Sequence, residues 1–245
     1  MVTTSADIQS GTMQFSSQDG TQIDAYMSQP ATPGRYPGVI VTMEGMGLED
    51  HMKDLARRFA EQGYIAIAPD LYTREGRPAS DKVLETLFSV PDSQTMGDLE
   101  GAALYLKNHA HANGKVGIIG FCSGGRYTLM FACTSSNVNA AVDSAGGHII
   151  PDELTAARPV AVIDMVANLY CPLLALFGEE DGNPSPDHAT RLREELDKHG
   201  KTYEFKMYAN AGHAFFADYR PSYRAAPAQD MWHRVLIFYE KYLKS

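Results

Sequence analysis

Val116-Gly117-Ile118-Ile119-Gly120-Phe121-Cys122-Ser123-Gly124-Gly125 is the stretch around which the chain is built. Residues 116–119 form a short apolar run of strand type, and a helical pattern sets in from about Arg126. A strand, a reactive side chain between glycines, then a helix is the order of a nucleophile elbow. Glycines two before and two after Cys122 remove Cβ atoms that so sharp a turn cannot hold. The helix start offers free N–H groups and a positive dipole end to a thiolate or an oxyanion. Serine is the usual nucleophile in such a turn; this chain carries cysteine. A free cysteine is most often a small buried core residue. That reading suits Cys133 and Cys171, whereas the glycines single out Cys122.

Outward from the elbow, strand and helix patterns alternate. Before it lie strands at 12–15 and 23–27, joined by the turn Gln18-Asp19-Gly20. Strand 38–43, helix 50–62, strand 64–68, a polar stretch turning helical over 73–92 and a long helix 92–113 follow. After the elbow come strand 138–144, an irregular stretch 146–168, strand 172–177, helix 185–199, strand 203–208 and an amphipathic helix 227–244. No repeat, low-complexity segment or linker interrupts this order. Alternation of this kind predicts one α/β domain over residues 1–245, with 1–11 as an N-terminal extension and a mostly parallel sheet covered by helices on both faces. Ligands on such sheets bind beyond the carboxyl ends of the strands.

Composition narrows the function. The 245 residues carry 30 acidic against 21 basic side chains, a net charge of −9, which repels nucleic acid and anionic membranes. The start, Met1-Val2-Thr3-Thr4-Ser5-Ala6-Asp7, lacks the basic and apolar regions of a signal peptide, and no apolar run is long enough for a bilayer. Three scattered cysteines suggest no disulfide framework. A reducing cytoplasm, which keeps Cys122 usable, is the predicted setting. HExxH, CxxC and paired-histidine spacings are missing, so neither metal nor cofactor is expected.

A cysteine nucleophile needs a base, and the base an orienting acid. The α/β-hydrolase order is nucleophile, acid, histidine. Phe177-Gly178-Glu179-Glu180-Asp181-Gly182 follows one strand and offers Asp181, with Glu179 and Glu180 beside it. Asn210-Ala211-Gly212-His213 follows the next and offers His213. His51, His109, His111, His188, His199 and His233 fall in helices or at their ends and read as solvated; His148, after Gly146-Gly147, is left unassigned. Trp232, Val235, Leu236 and Tyr239 have the spacing of a core-facing helix.

Over about residues 12–243 the chain resembles the dienelactone hydrolase (carboxymethylenebutenolidase) family of α/β-hydrolases. The likeness rests on Glu44 after the third strand, Ala68-Pro69-Asp70-Leu71-Tyr72-Thr73-Arg74, Gly114-Lys115-Val116-Gly117 running into Gly120-Phe121-Cys122, the Asp181 loop, Gly212-His213, and residues 225–234. It implies a Cys122–His213–Asp181 triad, with Glu44 touching the resting thiol and helping to deprotonate it when substrate binds. The N–H groups of Ser123 and Gly45 would form the oxyanion hole, each such donor lowering a barrier by roughly 2.7–4 kcal/mol. The resemblance makes Arg74 a partner for a substrate carboxylate. It places a second arginine four residues past the histidine, where this chain has Ala217. Tyr72, Met46, Tyr127, Phe215 and Phe216 would then line a more apolar pocket, and the expected substrate shifts toward neutral small esters or lactones. The expected protein is a monomer or a homodimer. Two other classes compete: a thiol redox or peroxide-responsive protein using Cys122, with Cys133 or Cys171 as partner, and a family member turned lyase or cyclase.

Overall fold

The computed structural model describes residues 7–245. In chain order the elements are β1 (Ile8–Ser16), β2 (Gln22–Pro30), β3 (Tyr36–Thr42), α1 (Asp50–Glu61), β4 (Ile65–Pro69), α2 (Val83–Ser89), α3 (Asp92–Lys107) and β5 (Ala112–Phe121). There follow α4 (Ser123–Thr134), β6 (Ala140–Ser144), a 3₁₀ segment (Val162–Asn168), β7 (Leu173–Gly178), α5 (Pro186–Lys198), β8 (Tyr203–Tyr208) and α6 (Ala225–Leu243). The eight strands form one sheet in the order β1-β2-β4-β3-β5-β6-β7-β8. β1–β2 and β2–β4 pair antiparallel; every other pair is parallel.

The parallel strands read as unbroken apolar runs because both their faces are covered. Val39, Ile40, Val41, Ile118, Ile119 and Leu173 to Phe177 are all buried. One cover pairs α1 with α6, where Phe59 meets Trp232 and Tyr239. The other pairs α3 with α4, joined by the buried ion pair Asp92–Arg126. The carboxyl ends of β3, β5, β7 and β8 consequently open on one edge of the sheet, and the loops that leave them carry Glu44, Cys122, Asp181 and His213.

Three boundaries depart from the sequence expectations. Residues 8–11, expected in an extension, pair with 27–30 as the start of β1; residues 1–6 lie outside the described residues. Ile8-Gln9-Ser10-Gly11 is largely exposed, so ladder hydrogen bonds rather than an apolar face hold it. The long helix stops at Lys107, and Asn113-Gly114 lies within β5. There the β3–β5 register jumps, Tyr36 facing Ala112 but Gly38 facing Val116, so the Asn-Gly signal marks a bulge. Helix α4 begins at Ser123 rather than near Arg126, because Gly124 and Gly125 weaken the helical pattern of its first turn.

Among the described residues no helix is long and apolar enough to cross a membrane.

Candidate active site

Cys122 sits between β5 and α4 with φ 55° and ψ −123°. A side chain other than glycine is rarely held there, and such strain costs of order 1–3 kcal/mol. The surroundings impose it. The Cys122 N–H donates to Ser144 O at 3.1 Å, and its carbonyl accepts from Gly125 and Gly147 N–H at 3.1 and 3.3 Å. A Cβ at Gly120 would lie 2.1 Å from Gly124 O, and one at Gly124 would lie 2.5 Å from Thr42 O. The backbone crossing therefore exists only with both glycines, and it lifts the half-buried thiol above the sheet.

Asp181 leaves the end of β7 and His213 the end of β8. The Nδ1–H of His213 donates to Asp181, at 2.9 Å from Oδ2 and 3.2 Å from Oδ1. Asp181 also accepts from the Asn183 N–H at 2.9 Å, and its side chain is 1% exposed. Glu179 and Glu180, its neighbours in the loop, face solvent. The hydrogen bond to Asp181, and next the Cys122 thiol, push His213 up to about 10. Cys122 and His213 line one cavity together with Glu44, His51, Phe215 and Phe216.

Glu44 departs from expectation. It is buried, and its carboxylate accepts from Arg220 Nη2 at 2.6 Å; among the described residues no hydrogen bond joins it to the Cys122 thiol. Burial raises its pKa, while Arg220 and then His213 pull it back. Gly45 and Ser123 adjoin each other: a Cβ on Gly45 would lie 3.5 Å from Ser123 Oγ. The Ser123 N–H is one of the unpaired donors at the start of α4.

Arg74 is the clearest correction. Its guanidinium is spent on Asp98 (2.7 Å), Asp19 (3.0 Å) and Thr21 (2.6 Å), pinning the β1–β2 turn to α3. Asp98 is buried and requires a counter-charge, which takes Arg74 away from any substrate. Tyr72 is buried with its hydroxyl on Gly45 O at 2.8 Å. It also lines, with the exposed Met46, a second cavity of about 450 Å³ beside β2. Tyr127 is buried in α4. Phe216 stacks on Phe121 at 5.3 Å, and Phe215 packs on Tyr208 at 5.1 Å.

Two residues of the site were not among the predicted ones. His51, expected in solvent, is buried at the start of α1 against Phe121, Phe216 and Tyr219. Its Nε2 has no partner, and burial lowers its pKa. Arg220 reaches Glu44 across 176 positions of sequence. No local pattern marks either residue. Among the described residues no group of three His, Cys, Asp or Glu side chains is placed to hold a metal ion.

The family model for the dienelactone hydrolase family matches residues 23–243. This chain belongs to the dienelactone hydrolase family. Dienelactone hydrolases act on ester or lactone bonds, and this chain is a hydrolase of that kind. It is 40% identical over 238 residues to a protein of Methylorubrum extorquens named as a carboxymethylenebutenolidase, covering 95% of this chain and 81% of that one. A likewise named protein of Escherichia coli K12 is 37% identical over 229 residues, covering 91% and 84%. A crystal structure of a protein from Klebsiella pneumoniae, named as a dienelactone hydrolase, superposes with a TM-score of 0.89 at 34% identity, covering 96% of this chain and all of that one.

Proposed function

We propose that this dienelactone hydrolase relative cleaves a small ester or lactone through an acyl-enzyme on Cys122, with His213 as base and Asp181 as orienting acid. One observation carries the reading: the Asp181-bound imidazole and the elbow cysteine open on the same cavity. Because Nδ1–H is committed to Asp181, Nε2 is the nitrogen left to take the thiol proton. The raised pKa favours the imidazolium that this transfer creates. Sulfur attacks the carbonyl carbon, and the N–H groups of Gly45 and Ser123 receive the oxyanion. Collapse breaks the C–O bond, and His213 returns its proton to the departing alkoxide. Water then cleaves the thioester by the same route. Glu44 would join as a second proton acceptor once a substrate parts it from Arg220.

The redox alternative is weakened by distance. Cys133 lies eleven residues further along α4, about 16 Å from Cys122 at the rise of an α-helix. Burial pushes the Cys133 and Cys171 thiols up to about 12, far from the reactive range.

The test is a panel of small esters and lactones assayed with the wild type, Cys122→Ser and Cys122→Ala. Cys122→Ala is expected to lose at least about 10³-fold in kcat/KM, and the wild type to show an acyl adduct by mass spectrometry. Undiminished turnover by Cys122→Ala would remove the nucleophile.

A further inference from the structure

His148, to which the sequence assigned no role, stands in the loop after β6 with φ 56°, a left-handed backbone that side chains other than glycine seldom adopt. Asn183, in the loop that carries Asp181, grips it twice. The His148 N–H donates to Asn183 Oδ1 at 3.1 Å, and Asn183 Nδ2 lies 2.8 Å from His148 Nε2. The two contacts fix each other. A backbone N–H only donates, so the amide oxygen must face it and the amide NH₂ must face the ring. Nε2 of His148 is therefore the acceptor, and the ring proton sits on Nδ1.

The place of this pair ties it to the site. Gly147, the residue before His148, donates its N–H to the Cys122 carbonyl at 3.3 Å. A Cβ on Gly147 would lie 3.3 Å from Asn183 O, so the two loops are closely apposed. The Asn183 N–H holds Asp181 Oδ1 at 2.9 Å, and Oδ2 is left as the nearer oxygen to His213 Nδ1, at 2.9 Å against 3.2 Å. Hydrogen bonds thus run from the elbow through Gly147 and His148 to Asn183, and on to Asp181 and His213. Among the described residues the Asn183 NH₂ has no acceptor besides the His148 ring.

We propose that His148 is a positioning residue: its Nε2, by holding the Asn183 side chain, keeps the Asn183 N–H on Asp181 and so sets the carboxylate that aims His213 at Cys122. This rests on Cys122 being the nucleophile and Asp181 the orienting acid. The arrangement works only with a neutral ring. Protonation would put an Nε2–H against the amide NH₂, and turning the amide over would put that NH₂ against the His148 N–H instead. The surroundings favour the neutral form. Burial keeps the pKa of His148 below the ordinary 6.5; Arg158 of the same loop and Arg126 of α4 push the same way, Asp152 opposes them, and His188 of α5 adds to them. From α2 the uncharged Phe88 ring packs edge-on at 5.5 Å.

The experiment follows p-nitrophenyl acetate hydrolysis by the wild type, His148→Leu and His148→Gln, whose amide oxygen replaces Nε2 as an acceptor that does not titrate. His148→Leu should lower kcat about ten-fold with KM little changed, and His148→Gln should recover most of the loss. The ratio of wild-type kcat to that of His148→Gln should fall as pH drops below 6.5, since only the wild-type ring takes a proton. An unchanged kcat in His148→Leu, equal losses in both variants, or a ratio flat across the acid range would overturn the assignment. Should the variants fail to fold, NMR of the nitrogen-labelled wild type decides. His148 should carry no proton on Nε2 at neutral pH, and the His213 Nδ1–H resonance should shift as His148 titrates. A proton on that nitrogen, or a His213 resonance indifferent to His148, would equally overturn it. Full activity in Cys122→Ala would remove the nucleophile and this assignment with it, whereas an inactive Cys122→Ala beside a fully active His148→Leu strikes only the role of His148.

Discussion

Asp181 accepts three hydrogen bonds, two from the His213 ring and one from Asn183, and it does so almost without water. Its hydrogen bond to the ring, and next the Cys122 thiol, hold His213 at about 10, against an ordinary 6.5. The folded protein therefore binds this proton more tightly than the unfolded chain. The contribution to stability is whole below pH 6.5 and is lost as pH rises through about 10. The difference in urea midpoint between the wild type and His213→Gln should shrink across that window; a difference constant with pH would contradict the pairing. Catalysis should answer in the same direction. Asp181→Asn removes the charge, so the acid limb of kcat/KM, along which His213 gives up the proton that keeps it from acting as base, should fall from about 10 toward 6.5. A drop in kcat by roughly 10⁴ should accompany it. Much of this was legible in the chain order of Cys122, Asp181 and His213, each placed just after its own strand. The choice of Asp181 over Glu179 and Glu180 was not legible from the loop itself. Three adjacent acids look alike until the turn buries one and exposes two.

At the scale of elements, α4 joins the site to the scaffold. Its first residue offers a free N–H, and one turn on it carries Arg126 and Tyr127. Arg126 grips Asp92 at the start of α3 with two hydrogen bonds of 2.6 and 2.8 Å, both partners buried. Breaking one side of such a pair leaves a buried charge alone, at a cost of about 3–5 kcal/mol. Arg126→Met should lower stability by that order in urea unfolding, and the double change Arg126→Met with Asp92→Leu should recover most of it. Equal losses in the single and double variants would mean that packing, not charge, holds the two helices. Periodicity had announced both helices, but not this contact. Asp92 and Arg126 are 34 residues apart, and the charge pattern along either helix says nothing about the other.

For the molecule as a whole, one carboxylate near the centre of the sheet couples the fold to pH. Asp143, in β6 beside the elbow strand, is completely buried; Oδ1 accepts from the Gly146 N–H at 2.8 Å and Oδ2 has no partner. Burial pushes it up to about 7, with the Gly146 hydrogen bond opposing. The neutral acid suits the native state, so its contribution is whole below about pH 3.8 and is lost as pH rises through about 7. Asp143→Asn should therefore gain stability relative to the wild type between pH 4.5 and 8, read from paired urea midpoints. A gap that closes instead would place a counter-charge near Asp143.

The residues alone were enough to settle the alternating strands and helices, the glycine-framed cysteine and the succession of acid and histidine. Each of these follows from forces acting over a few neighbours: side-chain periodicity against a core, steric limits on a turn, the stop at a strand's end. The folded molecule decided where the long charged side chains went. Arg74 was drawn to buried Asp98, Arg220 to Glu44, and Arg158 to the carbonyl of Leu87. A charge seeks its partner through space with little regard for separation along the chain, so those pairings exist only once distant loops have been brought together.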